Sequence, residues 1–205
     1  LIIGGGDGLG LKQVLKWQPK AVTLMDLDKD LLALFKSPPA DMPKHLRDAL
    51  LTLNGNALND PRLTLMVDDA FNGVDKLIQN GKMFDAIIVD LPDPSHPDLN
   101  KLYSDLFYRK LNELLSADGV ITVQSTSPYH AQKAFMSVGK TLTAAGFNVK
   151  QYHHNVPSFG EWGWSIGSKM GKNPQQRLAA IDEIPVPEEW LTPGLIHASF
   201  EFPKN

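Results

Sequence analysis

The sequence contains no cysteine among its 205 residues. Disulfide bonds and zinc sites built on cysteine thiolates are therefore excluded, and the composition fits a reducing compartment. A basic excess is also missing, because 20 lysines and arginines stand against 23 acids, which gives a formal net charge of -3. Since nucleic-acid-binding proteins usually present a dominant basic face, this charge balance argues against that class of function.

Long hydrophobic runs are missing as well. No apolar run approaches the roughly 18 residues that a membrane span needs, and no signal peptide is recognisable. The 42% hydrophobic and 21% charged composition is typical of soluble globular proteins, and the length suffices for one ordinary domain with a sizeable core. The sequence begins at Leu1, without a methionine, directly on an apolar run. We therefore expect an excised or truncated domain.

What the sequence does contain is an alternation of apolar runs and amphipathic stretches. Strands are predicted at residues 1–4, 21–28, 62–67, 84–90, 119–125, 147–156 and 162–168. Helices are predicted at residues 9–17, 29–36, 46–53, 70–79, 102–115 and 129–145. This order indicates an α/β fold, a mostly parallel seven-stranded sheet with helices on both faces. The last two strands follow each other closely, which predicts one antiparallel edge.

The chain after the last strand has a different character. Residues 171–205 are rich in proline, and we expect them to form irregular structure with short helices. This C-terminal extension is predicted to pack on the domain formed by residues 1–170.

A glycine-rich turn, within "LIIGGGDGLG", joins the first strand to the first helix. Glycine permits a tight turn and a close approach of a ligand to the backbone. The position between a strand and a helix favours a nucleotide-type site over a purely structural turn. Asp7 lies inside the turn, where it would repel a pyrophosphate but would suit a ligand that carries a cation.

Acids also follow the second and third strands. Asp26 and Asp28 come about 20 residues after the glycines, an offset that suits a carboxylate bound to ribose hydroxyls. Asp28 is explained more simply as the cap of the next helix. In "VDDAF", Asp69 can accept from an adenine amino group while Ala70 offers a backbone donor. Helix capping by Asp68 or Asp69 is equally compatible with this stretch.

The loop "DLPDPSHP" after the fourth strand carries two carboxylates three residues apart, Asp90 and Asp93. The prolines keep this loop stiff. A stiff loop with acids at a strand end suits a general base or a site for an ammonium group. The alternative is a structural Asp-Pro turn, which Asp93 and Pro94 alone would satisfy.

Aromatic residues and histidines follow near the end of the predicted sheet. Phe159, Trp162 and Trp164 can wall a pocket and face a cation, although we expect Trp164 in the core. His153 and His154 are adjacent on a strand and therefore point to opposite faces. No histidine is expected to bind a metal. The acids at the strand ends together predict a nucleoside pocket without a phosphate. Such a pocket suits a sulfonium donor and a cationic amine rather than NAD. The acids concerned are Asp7, Asp26, Asp69, Asp90 and Asp93.

These motifs resemble the spermidine synthase family of polyamine aminopropyltransferases. The matching stretches run in the family's order over roughly residues 1–168: "GGGDG", "MDLD", "VDDAF", "DLPDP", "LYSDLFYRKL", "GVITVQ" and "VPSFGEWGW". The resemblance implies a Rossmann-like class I methyltransferase fold. It also implies transfer of an aminopropyl group from decarboxylated S-adenosylmethionine, without a metal, to an amine such as putrescine, which gives spermidine and methylthioadenosine.

The resemblance also implies a role for each matching residue. Binding of the donor would fall to Gly4, Gly6, Asp7, Asp26, Asp69, Ala70 and Asp90. Asp7 would hold the amino group of the aminopropyl chain, Asp26 the ribose hydroxyls, and Asp69 with Ala70 the adenine. Asp93 would bind the attacking amine and accept its proton, which makes it the catalytic residue.

Further roles and departures concern the amine. Asp90 would support Asp93 and help to bind the polyamine, together with Phe159 and Trp162. Phe159 stands where many members have a tyrosine, so one hydroxyl contact is lost. Leucine and proline lie between the two acids of the fourth-strand loop, where the family commonly has small hydroxyl residues. The N-terminal β-stranded domain of the family is not in this sequence.

The last residues carry a separate resemblance. "LTPGLIHASFEFPKN" is similar to the tail of a bacterial branch in which this domain follows membrane-spanning helices. It implies a membrane-associated parent protein, with this domain on the cytoplasmic side of the inner membrane, and a homodimer is a candidate assembly.

Two other functions share the fold and the pocket: an S-adenosylmethionine-dependent amine methyltransferase, and a non-catalytic polyamine- or nucleoside-binding domain of a membrane protein. Asp7 disfavours the methyltransferase, because intact S-adenosylmethionine would bring its own carboxylate close to it.

Overall fold

The computed structural model describes residues 1–169, 171 and 173–203, which form an α/β fold with a mostly parallel seven-stranded sheet. The strands are β1 (Ile2–Gly4), β2 (Val22–Asp26), β3 (Leu63–Val67), β4 (Phe84–Asp90), β5 (Leu115–Gln124), β6 (Asn148–Val156) and β7 (Gly160–Ser168). The helices are α1 (Leu9–Lys16), α2 (Lys29–Lys36), α3 (Lys44–Leu53), α4 (Ala70–Gln79), α5 (Pro97–Asn100), α6 (Asp105–Leu114), α7 (Gln132–Ala144), α8 (Pro174–Leu178) and α9 (Pro193–Ala198). The predicted α/β class and alternation are confirmed. The chain divides into two compact units, residues 1–73 and 74–205.

The first unit contains three parallel strands in the order β3-β2-β1. The register places Ile2 beside Leu24 and Val22 beside Leu63. Strands that are covered on both faces need apolar side chains at successive positions, and Leu24 and Met25 are both fully buried. The carboxyl ends of β1 and β2 therefore lie side by side, and this arrangement brings the glycine-rich turn next to Asp26.

The second unit contains four strands in the order β4-β5-β7-β6. β4 and β5 are parallel, whereas β7 is antiparallel to both β5 and β6. The predicted antiparallel edge is thereby confirmed. Gln124, the last residue of β5, pairs with Trp164 of β7. This pairing keeps the segment after β5 close to β7 and to the loop after β4.

Trp164 is not in the core, contrary to the prediction. It is half-buried, stacks on Tyr152 at 5.5 Å between ring centroids, and lines a cavity of about 610 Å³. The reason is the two-residue alternation of side chains along a strand. Gly163 and Ser165 are buried on one face of β7, where a Cβ on Gly163 would lie 2.4 Å from the ring of Phe135. Trp164 is consequently on the opposite face.

The C-terminal extension belongs to the second unit and has the expected irregular structure with two short helices. Asn173 caps α8 in a reciprocal pair with Gln176, and Thr192 caps α9. The extension is fastened to β6 at His153, whose backbone N–H donates to the carbonyl of Ser199 at 2.9 Å. None of the helices in the described part of the chain has the length and apolarity needed to cross a membrane.

Candidate active site

The glycine-rich turn after β1 is held in a backbone conformation that ordinary side chains rarely adopt. Gly4 has φ 86 and Gly8, the N-cap of α1, has φ 77. The N–H of Gly8 donates to the carbonyl of Gly5 at 2.9 Å, which closes the turn. A Cβ on Gly8 would also lie 3.0 Å from Cγ of Leu58. The turn therefore needs glycine for its own shape.

Asp26, at the end of β2, braces this turn. Its Oδ2 accepts the backbone N–H of Gly6 at 2.9 Å, and its Oδ1 accepts the N–H of Asp28 at 2.8 Å. A carboxylate has about four lone-pair sites, so each oxygen keeps capacity for a ligand hydroxyl. Asp28 in turn accepts from the N–H groups of Asp30 and Leu31, which confirms its prediction as a helix cap.

Asp7 lies in the turn directly before Gly8, the N-cap of α1. Its Oδ1 accepts the N–H of Leu9 at 3.0 Å, and its carbonyl accepts from Nδ2 of Asn54 at 3.1 Å. Asn54 is fully buried and also donates to the carbonyl of Phe35 at 3.2 Å. The sequence did not single out Asn54, because "LNGN" is typical of an ordinary turn. The structure shows that this asparagine fixes the backbone that carries Asp7.

Asp69 and Ala70 lie at the start of α4. Oδ1 of Asp69 accepts the N–H of Asn72 at 3.3 Å, so the capping contact considered for this residue is present. Ala70 is the first residue of the helix and is buried. Their assignment to adenine stays a prediction, since a capping carboxylate keeps further acceptor capacity.

The second unit carries the acidic loop, and two hydrogen bonds hold the side chain of Asp93 in it. Nε2 of Gln124 donates to Oδ1 of Asp93 at 2.7 Å, and Oγ1 of Thr126 donates to Oδ2 at 3.0 Å. Oε1 of Gln124 accepts the N–H of Thr126 at 3.1 Å, which closes a ring of three hydrogen bonds. Sequence reasoning missed both partners. The polar run "QSTS" directly after a buried strand was the available signal.

The backbone of the same loop makes the turn that was the alternative for Asp93. The N–H of Ser95 donates to the carbonyl of Asp93 at 2.6 Å. The carbonyl of Asp93 therefore takes part in the turn, while its side chain takes part in the ring of hydrogen bonds with Gln124 and Thr126. Asp90 is the last residue of β4 and is exposed.

Tyr103 holds the loop after β4 by a hydrogen bond to its backbone. Its hydroxyl donates to the carbonyl of Pro92 at 2.9 Å. Burial raises the pKa of Tyr103 well above its ordinary value, and the negative charges of Asp93 and Asp90 raise it further. The hydroxyl consequently stays protonated and remains a donor over the whole physiological range.

Removal of the Tyr103 hydroxyl tests whether its hydrogen bond to Pro92 holds the loop. We expect Tyr103→Phe to lower the free energy of unfolding by about 0.5–1.5 kcal/mol, the usual net value of one hydrogen bond. The affinity for the amine that is predicted to bind Asp93 should fall by a few-fold, because the loop that carries Asp93 is no longer fixed at Pro92. Thermal unfolding and amine titration measure the two effects. An unchanged stability and an unchanged affinity would show that the Tyr103 hydroxyl is not needed to hold the loop.

The aromatic residues expected at the amine site lie in and beside β7. Phe159 and Trp162 contact each other with ring centroids 5.3 Å apart, and Phe159 is 62% exposed. Nδ1 of His153 lies 2.8 Å from Oε2 of Glu161, whereas the ring of His154 packs against the ring of Trp190. Within the described residues, no group of three or more histidines and acids is arranged to hold a metal ion.

A family comparison adds to this geometry. The family described as the spermine/spermidine synthase domain matches residues 1–179. The chain belongs to this family. The matched region includes the glycine-rich turn, the acidic loop after β4 and the two hydrogen-bond partners of Asp93.

Curated relatives match all or most of the chain. A polyamine aminopropyltransferase of Shewanella oneidensis is 71% identical over 205 residues, which are 100% of this chain and 36% of the relative. Polyamine aminopropyltransferase 2 of Ralstonia nicotianae is 42% identical over 169 residues, 82% of this chain and 31% of the relative. The chain thus spans about a third of the length of these curated relatives.

Solved structures of the family confirm the fold. A spermidine synthase in complex with the transition-state analogue AdoDATO matches with a TM-score of 0.76 and 23% identity, over 99% of this chain and 66% of that one. The spermidine synthase from Thermotoga maritima matches with a TM-score of 0.75 and 22% identity, over 98% of this chain and 64% of that one. The Rossmann-like methyltransferase fold that the resemblance implied is therefore shown.

Proposed function

We propose that this chain is the catalytic domain of a polyamine aminopropyltransferase. It transfers an aminopropyl group from decarboxylated S-adenosylmethionine to an amine such as putrescine, which yields spermidine and methylthioadenosine. The observation that carries the proposal is the fixed carboxylate of Asp93, hydrogen-bonded through both oxygens in the loop that follows the parallel strand β4. The names of the relatives, polyamine aminopropyltransferases, point to the same chemistry.

The reaction is a displacement at the carbon next to a sulfonium. A nitrogen–carbon bond forms, the carbon–sulfur bond breaks, and the electron pair leaves with sulfur as neutral methylthioadenosine. No oxyanion develops, so the domain must align the two reactants and supply a neutral amine. An alkylammonium has a pKa of about 10.4 and is almost fully protonated at neutral pH. Asp93 holds this ammonium and accepts its proton as the attack proceeds.

The donor is assigned to the first unit. Asp26 takes the ribose hydroxyls, in addition to its bond to the N–H of Gly6. Asp7 takes the amino group of the aminopropyl chain, while Asp69 and Ala70 take the adenine. The glycine turn and these acids suit a cationic nucleoside, because a carboxylate attracts the sulfonium and the ammonium but would repel a phosphate.

The amine is assigned to the second unit. Asp90 supports Asp93 in attracting the polyamine, and the exposed ring of Phe159, in contact with Trp162, offers a cation–π surface. Phenylalanine supplies this surface without the hydroxyl of tyrosine. The charged ends of the polyamine are thus recognised by carboxylates and rings.

A product assay with both donors decides between this function and its alternatives. The full-length protein is incubated with putrescine and either decarboxylated or intact S-adenosylmethionine. We expect spermidine and methylthioadenosine from the decarboxylated donor. Formation of S-adenosylhomocysteine alone would overturn the proposal in favour of an amine methyltransferase. Polyamine binding without either product would overturn it in favour of a non-catalytic binding domain.

We also propose a membrane-associated parent protein, with this domain on the cytoplasmic side of the inner membrane, and a homodimeric assembly. The similarity of "LTPGLIHASFEFPKN" to a membrane-bound branch supports the association, and the greater length of the curated relatives leaves room for further segments. Membrane fractionation and light scattering of the full-length protein test the two proposals. Recovery in the aqueous fraction as a monomer would contradict both.

A further inference from the structure

Thr126 has a backbone conformation that is rare for its residue type. Its φ is 63, in the left-handed region, and it is only 3% exposed. For a β-branched residue this conformation is a genuine outlier and is strained. Such strain persists where the surrounding structure over-determines it, commonly at functional sites.

The neighbours of Thr126 hold this conformation from several sides. Oε1 of Gln124 accepts its N–H at 3.1 Å, and its carbonyl accepts the N–H of Gly163 at 2.8 Å. The N–H of Ser125 donates to the carbonyl of Gly163 at 2.9 Å. A Cβ on Gly163 would lie 3.0 Å from the Thr126 carbonyl oxygen, so β7 approaches this segment as closely as glycine permits.

The consequence of the strained backbone is the direction of the hydroxyl. Oγ of Ser125 donates to the carbonyl of Val123, and Oγ of Ser127 accepts the N–H groups at residues 129 and 130. Oγ1 of Thr126 donates to Oδ2 of Asp93 at 3.0 Å. Three consecutive buried hydroxyls thus have different partners, and the one on the strained residue contacts the carboxylate.

We propose that Thr126 is a positioning residue for the amine-activating carboxylate. This inference rests on the proposed function. A carboxyl group turns easily about its last torsion. Two donors on different oxygens, Gln124 on Oδ1 and Thr126 on Oδ2, fix its plane. Each oxygen keeps acceptor capacity for the ammonium. Both donors are uncharged, so they orient Asp93 without neutralising it.

Two substitutions separate the hydroxyl from the shape of the side chain. Thr126→Val keeps the β-branched shape and removes the hydroxyl, whereas Thr126→Ser keeps the hydroxyl. We expect Thr126→Val to lower kcat by about 10- to 100-fold, as for misplaced reacting groups, with little change in the KM of the donor. Thr126→Ser should restore kcat to within a few-fold of the wild type.

A matched control and a second variant keep the test decisive. Thr141→Val removes a hydroxyl that donates to the carbonyl of Ser137 within α7, and it should show wild-type kinetics. If Thr126→Val does not fold, Thr126→Gly replaces it, because glycine adopts a positive φ freely. The same loss of kcat is expected from it.

The Asp93→Asn background distinguishes positioning from a merely structural role. If Thr126 acts through Asp93, Thr126→Val adds no further loss of kcat to Asp93→Asn, whereas independent effects would multiply. Calorimetric titration of the full-length protein with putrescine gives a readout that does not need turnover, and Thr126→Val should weaken this binding several-fold.

These readouts also separate failure of the inference from failure of the function. If the wild type forms no methylthioadenosine, the proposed function is overturned, and the putrescine affinities alone then decide the role of Thr126. If Thr126→Val matches the wild type in kcat and in putrescine affinity, the inference is overturned while the function stands.

Discussion

Asp93→Asn should lower kcat by about 10²- to 10⁴-fold, the usual contribution of a positioned general base. Asparagine has nearly the same shape, but its amide is neutral and cannot accept the proton of the attacking amine. It also removes the negative charge that attracts the ammonium, so the KM of the amine should rise. The KM of the donor should change little, because the donor is assigned to other carboxylates.

The assay for this variant is methylthioadenosine release at saturating donor, with the amine varied. Asp98→Asn is the matched control, since Asp98 lies five residues further along in α5 and its side chain is 89% exposed. It should keep wild-type kinetics. The folded state of Asp93→Asn is checked by thermal unfolding, because an amide nitrogen will face one of the two donors, Gln124 or Thr126. A variant that keeps half of the wild-type kcat would remove Asp93 from the catalytic role.

The acidic residues could be proposed as candidates from the sequence because they follow from local pattern, and their roles stay predictions. Asp26 ends β2 and Asp93 lies three residues after the end of β4, and ligands of open α/β sheets bind beyond the carboxyl ends of the strands. Gln124 and Thr126 were not predicted as partners of Asp93, since their contacts join residues 31 and 33 positions apart. No local pattern encodes such a distance.

Two other outcomes have the same physical origin. Trp164 was expected in the core because large aromatic residues are usually buried. Its environment is set instead by which face of β7 is covered, and the small neighbours Gly163 and Ser165 mark the covered face. Asn54 was not predicted as part of the site, although its side chain reaches the carbonyl of Asp7, 47 positions away. Long-range packing, and not propensity, decided both positions.

Gly6→Ala should impair binding of the donor and lower stability together. The new Cβ would lie 2.8 Å from Oδ2 of Asp26 and 3.3 Å from Cδ2 of Leu31. Asp26 cannot move without stretching its hydrogen bonds to the N–H groups of Gly6 and Asp28. We expect the free energy of unfolding to fall by about 1–3 kcal/mol, as for other overpacked sites. The affinity for decarboxylated S-adenosylmethionine should fall about tenfold or more, because the carboxylate that we propose for the ribose hydroxyls is displaced.

Gly10→Ala provides the control for this glycine. It lies in α1, four residues further along, and a Cβ there meets no atom within 4 Å. Since alanine is favoured over glycine in a helix by about 1 kcal/mol, this variant should be slightly more stable and bind the donor normally. Thermal unfolding and donor titration compare the two variants. If Gly6→Ala bound the donor as tightly as Gly10→Ala does, the Asp26 carboxylate would serve only to brace the turn, and the ribose would need another partner.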